Sequence, residues 1–164
     1  MNDAHLHLVV NHFPIIGTIF GLGILIAGMV LKNKTAINIA YILFVISAIF
    51  GFASMYTGEG AEEMVEDMPS IGDRIIHEQE EMAEKLAVIL YVLGAISLFG
   101  LYLNFKQHSK AKLITYLALV VAVVGALIGK EVGTTGGEVR HTEIRANVLT
   151  QAVSSEAGEN EEKE

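Results

Sequence analysis

Apolar residues along this chain are gathered into four blocks, Phe13 to Leu31, Ala36 to Tyr56, Leu86 to Phe105 and Leu113 to Gly129, none of which contains a formal charge. A helix needs about 20 apolar residues to cross the hydrocarbon core of a bilayer. Because lipid offers no partner for backbone polar groups, the blocks are expected to be helices and not strands. The predicted fold is therefore all-α, a four-transmembrane-helix bundle with spans near 13–31, 36–56, 86–105 and 113–129.

Polar residues divide the rest of the chain. Two short loops, Lys32 to Thr35 and Lys106 to Lys112, join the first span to the second and the third to the fourth. The longer connection TGEGAEEMVEDMPSIGDRIIHEQEEMAEK lies between the second and third. In it Gly58 and Gly60 suit a turn at the helix exit, Glu59, Glu62, Glu63 and Glu66 recur at helical spacing, and Met68-Pro69 and Gly72 read as a break. A short acidic extracytoplasmic helix is expected there, and because charged residues run from Ile75 without a break into the third span, the third helix should begin about two turns before the lipid. After the fourth span, VGTTGGEVRHTEIR reads as irregular or extended. AVSSEAGENEEKE reads as a disordered acidic tail, which divides the chain into a membrane domain at 1–149 and a tail at 150–164.

Composition agrees with a membrane class: 52% of the 164 residues are hydrophobic and only two are proline. No Lys or Arg precedes the first run, which is also too long for the apolar part of a signal peptide, so it is read as a retained helix. The absence of cysteine excludes disulfides, thiolate metal sites and CxxCH haem attachment. The net charge of −8 is unevenly placed. Lys32, Lys34, Lys106, Lys110 and Lys112 occupy the two short loops without an acid, whereas all 19 acidic residues lie on the side of the termini. Positive charge in short loops marks the cytoplasmic side, so both termini are expected outside, in a bacterial inner membrane. Small residues line the spans at Gly17 and Gly21, at Gly94, Ser97 and Gly100, and at Ala118, Ala122, Gly125 and Gly129, which is a packing pattern.

With that topology, His5, His7, His12, His77 and His141 share the outer face and His108 stands alone in a cytoplasmic loop. Pro14 fits the first turn of a helix with Asn11 as its cap, so a start near His12 is expected. Were the chain helical from Ala4, His5 and His12 would share a face and His7 would point away. On the third helix His77, Glu81 and Glu84 form a stripe at i, i+4 and i+7. Any one of these histidines alone reads as a solvated or capping residue. Their convergence on one rim is what suggests a shared ligand role.

The stretch HLVVNHFPIIG, a second apolar hairpin with a histidine at its start and the closing TGGEVRH together resemble a family of four-helix bacterial inner-membrane proteins marked by an N-terminal HFPI-type motif. The resemblance covers Ala4 to Ile144 and is most specific at His12, Phe13, Pro14 and Ile15. It implies architecture and no reaction.

Three functions compete. A b-type haem passing electrons to a redox partner needs two imidazoles facing an apolar slot and cations for the propionates. His12 and His77 are the candidate axial ligands, with His141 as substitute, and Arg74, Arg140 and Arg145 are the candidate cations. A non-haem Zn, Fe or Cu site would draw on His5, His7, His12, His77, Glu81 and His141, with Met55, Met64, Met68 and Met82 available to copper. HEQEE is not HExxH, so no metalloprotease signature is present. A non-catalytic subunit of a larger membrane complex is the third. Transport is disfavoured by charge-free spans, with only Lys130 and Glu131 near a helix end. The chain offers no basic surface for nucleic acid. Haem is preferred over other metals because basic residues adjoin the candidate ligands.

Overall fold

A computed structural model describes residues 3–63 and 73–141. Of the expected acidic helix, Glu59 and Glu62 fall in the last turn of the helix that ends at Glu62, while 64–72, the acidic tail at 150–164, and Met64, Glu66, Met68 and Arg145 lie outside the described residues. The described chain is all-α: α1 (Asp3–Val10), α2 (His12–Val30), α3 (Lys34–Glu62), α4 (Asp73–Phe105) and α5 (Ala111–Arg140). Four helices, with α1 and α2 counted as one rod, are long and apolar enough to cross a membrane.

These helices form an up-down-up-down bundle in which α2 packs on α3, α3 on α4, α4 on α5, and α5 back on α2. Hydrogen bonds fix the register at both ends. At the end holding the two short loops, the Asn104 amide donates to Asn38 Oδ1 at 2.7 Å and the Tyr41 hydroxyl donates to Thr115 Oγ1 at 3.0 Å. At the opposite end, called here the terminal end, α1 bonds to α3 through His7, and α4 bonds to α5 through Gln79 and Thr135.

The two loops share one turn geometry. Lys32 and Gln107 take positive φ of 53° and 50°. The following amides then reach back five residues, Asn33 N–H to Gly28 O at 2.8 Å and His108 N–H to Leu103 O at 2.9 Å. This satisfies carbonyls left over at the helix ends. Asn33 Oδ1 in turn accepts the Thr35 and Ala36 amides and caps α3.

Packing depends on close approach. The inward stripe of α2 is Pro14, Thr18, Gly21, Leu25 and Gly28. A Cβ on Gly21 would sit 2.6 Å from the ring of the fully buried Phe44. Small residues at such crossings bring in the dispersion contact that replaces the hydrophobic effect inside lipid. Facing outward are Phe20, Phe52, Leu98, Val120 and Leu127, each more than half exposed, a surface suited to acyl chains and not to water.

Three expectations are corrected. The chain does not become helical only near His12: α1 begins at Asp3, Asn11 keeps helical φ and ψ of −68° and −22°, and its amide bonds to His7 O at 2.9 Å. The rod is interrupted because Pro14 has no N–H to give to Val10 four residues back. Asn11 makes no capping bond. Second, Gly58 and Gly60 do not end the second span, since α3 runs on to Glu62. Third, the Gly- and Thr-rich segment after the fourth span is helical to Arg140 and not irregular. There Gly136 lets α4 approach, with Gln79 Nε2 only 3.1 Å from where a Cβ would stand, and Thr134 and Thr135 return their hydroxyls to carbonyls one turn back. Tertiary packing outweighs the weak helix propensity of these residues. The start of α4 at Asp73, well before Leu86, agrees with the expected extension of this helix beyond the lipid.

Candidate functional site at the terminal end

Helical periodicity decides which histidines face the bundle. On the α1–α2 rod the buried positions Pro14, Gly21 and Gly28 recur every seven residues, and counting back seven more gives His7. His5 and His12 also stand seven apart, on a different face, and both are exposed. The geometric reading of the helical alternative was sound. The face that turns inward is the other one, because the ring of His7 is held by α3.

The His7 ring is held by α3. Nδ1 lies 3.1 Å from Ser54 O and 3.2 Å from Thr57 Oγ1. A backbone carbonyl only accepts, so Nδ1 carries the proton and donates. Thr57 uses its own hydroxyl hydrogen on Ala53 O at 2.9 Å and is buried, so it too is an acceptor toward the imidazole. Gly58 lies beside the ring edge: a Cβ there would meet His7 Cε1 at 3.8 Å, an ordinary contact. With Nδ1–H engaged, Nε2 is the nitrogen left with a lone pair. One turn along the same face, Asn11 Oδ1 is buried without a hydrogen-bond partner. Beside it Phe13 stacks on Phe50 at 4.5 Å between centroids, closing the seam between α2 and α3.

The remaining predicted residues are arranged differently. His77 is 70% exposed on α4, with Nδ1 3.7 Å from Glu80 and Nε2 3.4 Å from Glu81, and Glu81 also pairs with Lys85 at 3.2 Å. The His77 and Glu81 pair predicted from spacing is therefore present, and it faces outward. Arg74 pairs with Glu78 at 3.8 Å on the same exposed stretch. His141 is exposed and closes α5, its amide bonding to Gly137 O at 2.9 Å. Arg140 ends that helix. Among the described residues no hydrogen bond or ion pair joins His12 to His77, and no group of three His, Asp or Glu side chains is placed to hold a metal ion.

Sequence reasoning passed over His7 as the interior histidine. The signal was present: a histidine in phase with the small and proline residues of the inward stripe. The polar partners Ser54 and Thr57 were also visible, one turn apart near the end of the second span. Comparison with family models, with characterised proteins and with solved structures returns no match.

Proposed function

We propose that this chain is a multi-pass membrane protein that holds a b-type haem at the terminal end of its bundle for electron transfer, with His7 as one axial ligand. The observation that carries the reading is the His7 ring, whose Nδ1–H is engaged by a main-chain carbonyl. That arrangement fixes the tautomer and ring angle of a ligating imidazole and makes its Nε2 a better donor. His7 is also the histidine in phase with the inward stripe of the N-terminal rod. His12, His77 and His141 belong to the same end and are the candidates for the second axial position, with Arg74 and Arg140 as the candidate cations for the propionates. The HFPI-type resemblance supports the architecture and adds no reaction.

Non-haem Zn, Fe or Cu is the weaker reading, since it rests on the two-residue pair His77 and Glu81. The reduced-minus-oxidised absorption spectrum of the detergent-purified protein tests the choice. Paired α and β bands of a low-spin b-type haem are expected, with about one haem per chain. A spectrum without them and stoichiometric zinc, iron or copper would transfer the site to the other metals.

The lysine loops support an orientation with those loops in the cytoplasm and both termini outside, in a bacterial inner membrane. A cysteine placed at Asn33 or Ser109 is expected to be shielded from an impermeant thiol reagent applied outside, and one at Ser70 to be labelled. Reversed labelling would put the haem site on the other side.

A further inference from the structure

Cations at the two ends of the bundle are treated differently by the fold. At the terminal end, each Lys or Arg whose side chain is described has a carboxylate partner: Arg74 with Glu78, Lys85 with Glu81, and Lys130 with Glu131. At the loop end Lys32, Lys34, Lys106, Lys110 and Lys112 are all exposed. Among the described residues none of these five ammonium groups lies within ion-pair distance of a carboxylate. No acidic residue occurs in either loop to supply one.

The register bonds Asn38 to Asn104 and Tyr41 to Thr115 draw the two loops to one end of the bundle, so the five charges belong to a single rim. Exposed rings mark the level of that rim relative to lipid. Tyr102, Phe105 and Tyr116 are 56%, 83% and 48% exposed, a position where aromatic side chains sit among headgroups. Lys106 lies 5.9 Å from the Phe105 ring centroid, which places its charge at the same depth. The Schellman-type turns at Lys32 and Gln107 hold the loops short, so the charges stay close to the bilayer surface.

We infer that this rim binds the phosphates of anionic lipid headgroups, such as phosphatidylglycerol, as a ring of bound lipid around the loop end. Lysine suits the task because an ammonium group on a flexible stem reaches a phosphate as a point charge, without the fixed geometry that an arginine fork imposes. Lipid supplies the counter-charge that the protein itself supplies at its other end.

Native mass spectrometry of the full-length protein, released from mixed micelles of equal phosphatidylglycerol and phosphatidylcholine, tests this. Each lysine near an anionic surface strengthens attachment about fivefold when acting alone, so with partial engagement the retained lipid should favour phosphatidylglycerol by about tenfold or more. K32Q/K34Q/K106Q/K110Q/K112Q is expected to bring the ratio close to parity, and K85Q/K130Q at the other end to leave it unchanged. Should the fivefold variant fail to accumulate, K32Q/K34Q and K110Q/K112Q are each expected to lower the ratio. Parity in the unmodified protein, a ratio indifferent to the loop substitutions, an equal fall in the K85Q/K130Q control, or displacement of the lipid by millimolar inorganic phosphate would each overturn the inference.

Discussion

Replacing His7 with alanine is expected to abolish the b-type absorption of the reduced protein while the helical bundle stays assembled. Both halves of the outcome follow from the contacts of the ring. Ser54 O and Thr57 Oγ1 accept from Nδ1, and Thr57 keeps its own bond to Ala53 O when the imidazole is gone. The lost hydrogen bond then costs roughly 1 kcal/mol, which a bundle tied at both ends tolerates. On the proposed ligation, the haem by contrast loses an axial ligand. Thr57→Val supplies a graded test, because it removes an acceptor that orients the ring and leaves Nε2 in place. Haem affinity is expected to fall about 10- to 100-fold, the range typical of the groups that orient a ligating histidine. His108→Ala should change nothing, since His108 sits in the far loop and its Nδ1 accepts the Lys110 amide. Whichever of His12→Ala, His77→Ala or His141→Ala converts the spectrum to a high-spin form identifies the second ligand. Helical circular dichroism lost together with the bands in His7→Ala would mean that the ring serves the fold and not a cofactor.

The second large effect concerns the seam between α3 and α4. A Cβ on Gly100 would lie 2.6 Å from Cε2 and Cζ of Tyr41 and 2.9 Å from its hydroxyl oxygen. Tyr41 is fully buried and donates to Thr115, so its ring has no free space to enter and a hydrogen bond to lose. Overpacking and the broken bond together put the cost of Gly100→Ala at roughly 2 to 3 kcal/mol. Unfolding in mixed micelles with increasing sodium dodecyl sulfate should show it as an early transition. Gly23→Ala is the matched control, because nothing lies within 4 Å of its added carbon, and it should unfold with the parent protein. Coincident curves for Gly100→Ala and Gly23→Ala would contradict the close approach of α3 and α4.

The four spans were legible because a charge-free run of bilayer length has few alternatives once every backbone group must bond internally. Helix ends outside the lipid were less so. Gly58 and Gly60, and later Thr134, Thr135 and Gly136, are residues that local propensity assigns to turns. In the bundle Gly136 admits Gln79, and the threonine hydroxyls fold back on their own helix, so the contact and not the propensity decides. The site was legible in part. Convergence of histidines on one end follows from an even number of spans. Which one turns inward depends on the phase of the N-terminal helix, and an expected break at Asn11 hid that phase. Pro14 removes one hydrogen bond, yet Asn11 keeps helical dihedrals and its amide bonds back to His7 O, so the phase of the stripe from Gly28 through Gly21 carries on to His7. His12 and His77, the pair chosen from sequence, are both exposed side chains on their helices.

Chemical rescue separates ligation from support more directly than any substitution alone. His7→Gly opens a space beside Ser54 and Thr57 the size of the missing ring, and free imidazole is small enough to enter it. Titrating imidazole into the haem-loaded His7→Gly protein is predicted to restore the low-spin reduced spectrum of the parent, saturably, while the same titration of His108→Gly changes nothing. A His7→Gly protein that keeps the parent spectrum with no imidazole added, or that loses it and does not regain it at saturating imidazole, would contradict the assignment of His7 as an axial ligand.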